Sequence, residues 1–223
     1  MNIGMDRRVF IAGGMAVLSG FAFAKRGLAQ DVPEKVNPDL SDLTFLDGTV
    51  SYVKRDDWAS IKPQVSIMTA ATGYDRITIH HTGESQKSFA DENSVRFALD
   101  NILTDHCNRN FGDIGYHFVI APDGKAWQTR SMAYEGAHVL GQNSSNLGVM
   151  LLGNFESNQP TDGQVSTMTL MVDSMCEHFS IKKHRVFGHR DIGHSLCPGR
   201  NLYEEVLKLK SLSSDDIKEM ARK

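Results

Sequence analysis

A histidine and a cysteine eight residues apart, His189 and Cys197, stand in the segment 186–199, where an apolar lead-in runs into a loop closed by Pro-Gly. Imidazole nitrogen and cysteine thiolate are both preferred ligands of zinc. A third candidate ligand, His80, lies far upstream. Three protein ligands leave one coordination position for water, which is the arrangement of a hydrolytic zinc centre rather than of a structural one. These residue types therefore suggest, as a hypothesis, a hydrolytic zinc centre built from His80, His189 and Cys197.

The composition is that of a globular protein. The chain has 223 residues, of which 40% are hydrophobic and 23% are charged, and its formal net charge is −3. This length predicts one domain of ordinary size with appendages. The weak negative charge does not indicate nucleic acid or an anionic membrane as the main partner.

The first residues have the pattern of an export signal. The paired arginines Arg7 and Arg8 precede the apolar run Val9–Ala24, which is shorter than the roughly 20 residues that span a bilayer as a helix. The pair resembles a twin-arginine signal, which sends folded proteins out of the bacterial cytoplasm. We predict an export signal over residues 1–29, cleaved after Ala29 or at the end of the apolar run, and a periplasmic or secreted protein. An ordinary signal peptide or an uncleaved membrane anchor is the alternative.

Export changes the interpretation of the three cysteines, because disulfides persist in oxidising compartments. If Cys197 binds a metal, Cys107 and Cys176 either form one disulfide or remain buried thiols. Without a metal, Cys197 could itself form a disulfide and one thiol would be left over.

A predicted strand carries the first histidine. Residues Arg76–His80 alternate in polarity and are rich in β-branched side chains. Successive side chains of a strand point to opposite faces, so only one of His80 and His81 can face a given metal. The segment ends in Thr-Gly, which places the histidine pair at the carboxyl edge of the sheet, where sites in such sheets tend to lie.

The remaining patterns predict an α/β fold with a single mixed β-sheet flanked by α-helices. A tight hairpin between two predicted strands excludes a purely parallel sheet. We assign residues 30–49 to a linker or N-terminal arm, 50–210 to the domain that carries the zinc centre and 211–223 to a C-terminal helical tail. The other predicted strands are Tyr116–Ile120, Ala126–Arg130, Asn146–Leu152 and Arg185–Gly188. The predicted helices are Asp91–Arg109, Asn201–Leu209, Ser214–Arg222 and a helix that begins at the capping box Thr161–Gln164.

Several short motifs, in this order along residues 52–203, resemble the zinc amidase family that includes a phage lysozyme and the animal peptidoglycan recognition proteins. Each motif is weak alone, whereas their joint order and spacing are specific. The resemblance implies a peptidoglycan recognition protein-like amidase fold. The motifs are Arg55–Trp58, Ile77–Thr82, Gly112–Ile120, Gly136–His138, Asn143–Gly153 and Gly188–Gly199.

The resemblance implies N-acetylmuramoyl-L-alanine amidase activity, which cuts between the glycan lactyl group and the first alanine of the stem peptide. It places zinc on His80, His189 and Cys197, and the catalytic tyrosine on Tyr116. A second catalytic position, two residues before the metal cysteine, is lysine in the phage enzyme and threonine in animal amidases. Here it is Ser195, a departure that leaves the role of this residue open.

The resemblance also names residues for substrate contact. The substrate-contacting histidine of the family matches His138, and its asparagine matches Asn143. We add His81 to the substrate-binding candidates, although packing or orienting a neighbouring group is its more ordinary role. The histidines in or just after predicted helices, His106 among them, are expected to be ordinary surface or core residues.

The expected partners are peptidoglycan or muropeptides, with no nucleic acid, no stable membrane insertion after signal cleavage, and a monomeric protein. Two alternatives share much of the same sequence pattern. One is a module that binds peptidoglycan without cutting it, as some relatives that lack metal ligands do. The other is a zinc peptidase that acts on stem peptides.

Overall fold

Six strands and five helices form in residues 38–220, the part of the chain that the computed structural model describes. The predicted export signal lies outside these residues. The strands are β1 (Tyr52–Val53), β2 (Arg76–His81), β3 (Phe118–Ile120), β4 (Ala126–Gln128), β5 (Asn146–Leu151) and β6 (Val186–Gly188). The helices are α1 (Glu92–Asn108), α2 (Asp162–His178), α3 (His189–Ile192), α4 (Arg200–Ser211) and α5 (Ser214–Met220).

The strands form one mixed sheet in the order β1-β4-β3-β5-β2-β6. Strands β3 and β4 pair antiparallel as the predicted hairpin, and every other pairing in this sheet is parallel. The prediction of a single mixed sheet flanked by helices is confirmed. Strand β2 lies between β5 and β6. Its carboxyl end therefore lies beside the carboxyl end of β6, which His189 follows directly.

The two faces of β2 contact different parts of the core. Ile77 and Ile79 are fully buried on the face covered by α2 and α4. Thr78 and His80 alternate with them, and His80 lies opposite Met150, which packs with the apolar residues of α1. His80 therefore points to the α1 side of the sheet, and His81 points to the other side, as the alternation predicts.

Both long helices begin at capping boxes. At the start of α1, the Asp91 side chain accepts a hydrogen bond from the Ser94 amide. At the start of α2, the Thr161 side chain accepts one from the Gln164 amide, and this second capping box is the one predicted from the sequence. The Gln164 side chain also donates to the carbonyl of Leu152 at 2.9 Å. This buried amide ties the start of α2 to the end of β5.

The segment before β1 packs against the domain. Leu40, Leu43 and Leu46 are buried in the same cluster as the apolar residues of α2 and α4. Part of the predicted arm thus contributes to the core, and the domain boundaries given above stay a prediction. No helix among residues 38–220 is long and apolar enough to cross a membrane.

Candidate metal centre and active site

Three donor atoms converge at the carboxyl edge of β2. His80 is the penultimate residue of that strand, His189 is the first residue of α3, and Cys197 lies in the loop between α3 and α4. One ligand atom from each residue lies within 4.8 Å of the other two. The structure thus brings together the three residues that the sequence proposes as metal ligands.

The spacing of these donors fits a tetrahedral zinc ion. With ordinary Zn–S and Zn–N bond lengths, a sulfur and a nitrogen on one tetrahedral ion lie about 3.6 Å apart. The distance from Cys197 Sγ to His80 Nδ1 is 3.7 Å. One thiolate and two imidazoles form a donor set suited to zinc, and three ligands leave a fourth position open.

The sulfur of Cys197 receives a backbone hydrogen bond. The amide of His81 donates to Sγ at 3.3 Å. Burial nevertheless raises the pKa of the Cys197 thiol to about 12. The thiol therefore holds its proton at neutral pH unless a cation replaces that proton. The three cysteines of the chain are all free thiols, so Cys107 and Cys176 do not form the disulfide considered above.

The loop that carries Cys197 is fixed by local hydrogen bonds. The Ser195 hydroxyl accepts a hydrogen bond from the Cys197 amide at 3.1 Å, and the Arg190 amide donates to the Cys197 carbonyl at 2.8 Å. Asp191 caps α3 and accepts a 2.6 Å hydrogen bond from the Tyr203 hydroxyl of α4. These contacts place Ser195 beside the candidate centre, and its catalytic role stays a prediction.

The second nitrogen of His80 contacts another histidine. His80 Nε2 lies 3.0 Å from His138 Nδ1, and His138 Nε2 lies 3.1 Å from the carbonyl oxygen of Asn146. Burial lowers the pKa of His80 well below its usual range and lowers that of His138 to about 4. Both rings are therefore neutral at pH 7.

Tyr116 lies directly beside this histidine pair. Its ring centroid is 5.0 Å from that of His80 and 6.1 Å from that of His138. Burial raises the pKa of the Tyr116 hydroxyl to about 12, so the group is protonated at neutral pH and can donate a hydrogen bond. The structure thus packs the Tyr116 ring against His80, one of the three candidate metal ligands.

A buried histidine on α1 supports the turn before Tyr116. His106 Nδ1 accepts a hydrogen bond from the amide of Gly115 at 3.0 Å, and burial lowers its pKa to about 4. From the sequence we expected His106 to be an ordinary surface or core residue, and its hydrogen bond to the site was not predicted. One signal was available, because His106 continues the apolar stripe of Leu99 and Leu103 at helical spacing.

A buried ion pair holds the other side of the same turn. Arg55 Nε and Nη2 lie 2.9 and 3.0 Å from the two carboxylate oxygens of Asp113. Asp113 also accepts a hydrogen bond from the amide of Ile114 at 2.8 Å. Burial raises the pKa of Asp113, and the Arg55 guanidinium opposes that shift.

The other substrate-binding candidates occupy two different places. Asn143 Oδ1 accepts hydrogen bonds from the amides of His138 and Val139 at 2.9 and 2.8 Å, so it fixes the loop that carries His138. The His81 ring lies across the sheet from His80, where its Nδ1 accepts a hydrogen bond from the Phe155 amide at 3.2 Å. Substrate contact by His138, Asn143 and His81 stays a prediction.

Comparison with known proteins identifies the family and agrees with the fold. Residues 71–200 match the family described as N-acetylmuramoyl-L-alanine amidase. Peptidoglycan-recognition protein 2 of Holotrichia diomphalia is 33% identical over 162 residues, which cover 71% of this chain and 84% of that protein. The chain therefore belongs to the N-acetylmuramoyl-L-alanine amidase family, as the motifs predicted.

Solved structures share the fold. Peptidoglycan recognition protein SD of Drosophila superposes with a TM-score of 0.66 at 25% identity, covering 74% of this chain and 97% of that one. The N-acetylmuramoyl-L-alanine amidase LysC from Clostridium intestinale superposes with a TM-score of 0.55 at 24% identity, covering 72% and 98%. A protein named for peptidoglycan recognition and a protein named as an amidase thus share this architecture.

Proposed function

We propose that this chain is a zinc-dependent N-acetylmuramoyl-L-alanine amidase of peptidoglycan. The observation that carries the proposal is the convergence of His80, His189 and Cys197 within 4.8 Å, beside the hydroxyl-bearing Tyr116. A protein that only recognises peptidoglycan has no need of a complete ligand set next to a buried proton donor. The family match supports the substrate and the bond that is cut.

Zinc, when bound, would supply Lewis-acid chemistry, because it polarises a carbonyl and makes water a nucleophile at neutral pH. His80, His189 and Cys197 would hold it. In the reaction, a water oxygen bonds to the lactyl carbonyl carbon and the bond from that carbon to the alanine nitrogen breaks. The products are a lactyl carboxylate and an alanine ammonium group, whose nitrogen takes up both protons of the water.

The protein's own contribution is to stabilise the charge that develops on the carbonyl oxygen. Tyr116 keeps its proton at neutral pH, since burial raises its pKa to about 12, and it therefore donates to that oxygen as the carbon becomes tetrahedral. Ser195 is the candidate for a second donor, from the adjoining metal loop. His138 and Asn143 are the candidates for contact with the muramoyl peptide.

The site of action is the cell wall outside the cytoplasm. The paired arginines and apolar run at the start of the chain support export through a twin-arginine route to the periplasm or the medium. We propose that the protein acts as a monomer on peptidoglycan or soluble muropeptides, without nucleic acid and without stable membrane insertion after signal cleavage; the weak net charge of −3 supports the exclusion of nucleic acid.

Digestion of purified sacculi followed by mass spectrometry tests the proposal. We expect stem peptides with a free N-terminal alanine and glycan strands with free lactyl carboxylates, lost on chelation and restored by added zinc. A zinc peptidase would instead leave alanine attached to the glycan and release shortened peptides. Retention of the metal-loaded protein on sacculi with no product would show recognition without cleavage and would refute the enzyme.

A further inference from the structure

A row of hydrogen bonds runs from a backbone carbonyl to the first metal ligand. The carbonyl oxygen of Asn146 can only accept, so the His138 Nε2 that lies 3.1 Å away must carry a hydrogen. The Nδ1 atom of a neutral His138 is then an acceptor. His80 Nε2, 3.0 Å from it, must be the donor. This leaves His80 Nδ1 without a hydrogen, and Nδ1 is the atom that faces Cys197 Sγ.

Two glycines hold the His138 ring in this orientation. A Cβ atom at Gly148 would lie 2.6 Å from Cδ2 of the His138 ring, and a Cβ atom at Gly136 would also collide with that ring. Because real side-chain contacts are never this close, only glycine at both positions leaves room for the imidazole. Asn143 fixes the backbone at His138, because its Oδ1 accepts hydrogen bonds from the amides of His138 and Val139.

We propose that His138 is a positioning residue that selects the tautomer of His80 competent to bind metal. The inference rests on the proposed zinc site, and it assigns His138 a task that precedes any contact with substrate. A neutral imidazole has one nitrogen that carries hydrogen and one that does not. Without an acceptor at His138 Nδ1, the His80 hydrogen is free to move to Nδ1, where it would block the ligand position.

Partners of this kind matter to metal affinity. A hydrogen bond from the far nitrogen of a ligating histidine fixes its tautomer and ring orientation, and loss of the partner typically weakens binding by about 10–100-fold. A role limited to substrate contact predicts a different result, because it would leave the metal affinity of the free protein unchanged.

Two variants of nearly equal shape separate these roles. His138→Asn keeps an acceptor close to the position of Nδ1, whereas His138→Leu removes it. We expect His138→Leu to weaken zinc binding by about 10–100-fold in competition with a chromophoric chelator, without substrate present. His138→Asn should stay close to the wild type. Equal zinc affinity for wild type and His138→Leu would overturn the proposal.

Cobalt(II) in place of zinc adds a spectroscopic readout. The visible absorption bands of the bound ion should change in position or intensity in His138→Leu and be retained in His138→Asn. A folding defect would act differently, since it would lower the fraction of protein that binds while leaving the bands of the bound fraction unaltered. Unaltered bands in every His138→Leu molecule that binds cobalt would count against the positioning role.

The wild-type protein itself provides a test that needs no variant. Nitrogen-15 correlation spectra of the histidine rings in the metal-free protein should show hydrogen on Nε2 of both His80 and His138. Hydrogen on Nδ1 of His80 would overturn the inference. Zinc binding by the wild type without cleavage of sacculi would refute the proposed activity alone, and failure of the wild type to bind zinc would refute both.

Discussion

Cys197 Sγ lies 3.7 Å from His80 Nδ1 although 117 residues separate the two in the chain. The sheet topology produces this contact. Strand β2 pairs in parallel with β6, so their carboxyl ends meet at one edge, and the loop that follows β6 and α3 returns over the end of β2. At the same edge, the amide of His81 donates a hydrogen bond to the cysteine sulfur. The end of β2 therefore supplies one candidate ligand, His80, and also positions a second, Cys197.

Replacement of the cysteine ligand should empty the proposed zinc site. We expect Cys197→Ala to purify with less than a tenth of the wild-type zinc content, because two imidazoles alone make a weak site, and to lose amidase activity. Zinc measured by mass spectrometry checks this. Cys107→Ala is the matched control, since Cys107 is also a free thiol but lies outside the metal cluster. Equal zinc loss in both variants would contradict the assignment.

Removal of the tyrosine hydroxyl should slow turnover and leave the metal in place. Loss of one oxyanion donor typically lowers kcat by about 10²–10³-fold. We expect that range for Tyr116→Phe, with zinc content and thermal stability close to those of the wild type. Tyr52→Phe is the control, because the Tyr52 hydroxyl bonds to Asp47 beside β1. An undiminished kcat in Tyr116→Phe would remove Tyr116 from the mechanism.

Local patterns predicted the parts of the fold that depend on neighbours in sequence. The alternation of Arg76–His80, the capping box at Thr161 and the hairpin after Ile120 each follow from a few adjacent residues, and each is present. The family motifs supplied the ligand set, since spacing alone left the third ligand and a disulfide open.

Apart from the metal ligands, which the family motifs supplied, contacts between distant segments were not predictable. The acceptor role of His106 depends on a loop amide that reaches it only after the chain turns at Gly112. The Arg55–Asp113 pair joins residues 58 positions apart, and no local pattern links them. The burial of Leu46 depends on α2, which follows it by more than a hundred residues. Such contacts are properties of the assembled sheet.

His106 should contribute to a loss of stability in acid. Its pKa is about 4 in the folded protein and close to 6.5 when unfolded, so the unfolded chain binds more protons between these values. Stability is therefore complete above pH 6.5 and falls as the pH drops towards 4, by up to about 1.4 kcal/mol per pH unit for each such proton. His106→Asn, which retains an acceptor for Gly115, should lose stability less steeply.

Denaturant unfolding of wild type and His106→Asn at pH 7 and pH 5 measures this difference. The buried His80, His117 and His138 have pKa values lowered in the same direction, so the variant should keep part of the acid sensitivity. His184→Asn, at an exposed site, is the control and should follow the wild type. A curve for His106→Asn that parallels the wild type would disprove the contribution.

The ion pair beneath the Tyr116 turn should be important for stability. Asp113→Asn leaves the buried Arg55 without its counter-charge, and loss of one partner of a buried pair costs about 3–5 kcal/mol. Chemical denaturation measures the change. Asp105→Asn breaks the exposed pair with Arg109 and should cost less than about 1 kcal/mol. Similar losses in the two variants would show that burial of the Arg55–Asp113 pair is unimportant.

Export should depend on the paired arginines. Twin-arginine transport recognises the two guanidinium groups, so Arg7→Lys combined with Arg8→Lys should keep the full-length protein in the cytoplasm. Fractionation of bacterial cells with an antibody against the protein checks the location. Lys25→Arg is the control for a conservative change nearby. Unchanged export of the double variant would favour the ordinary signal peptide instead.

The family-matched stretch, residues 71–200, is smaller than the unit that must fold. Leu46 and Trp58 precede it, Leu202 and Val206 follow it, and all four are buried against residues inside it. Tyr203 also lies beyond it, and its hydroxyl donates a hydrogen bond to the carboxylate of Asp191 in α3. A protein shortened to residues 71–200 would therefore lack buried core residues on both sides. It would also lose the hydrogen bond from Tyr203 to Asp191, which fixes the segment that leads to Cys197.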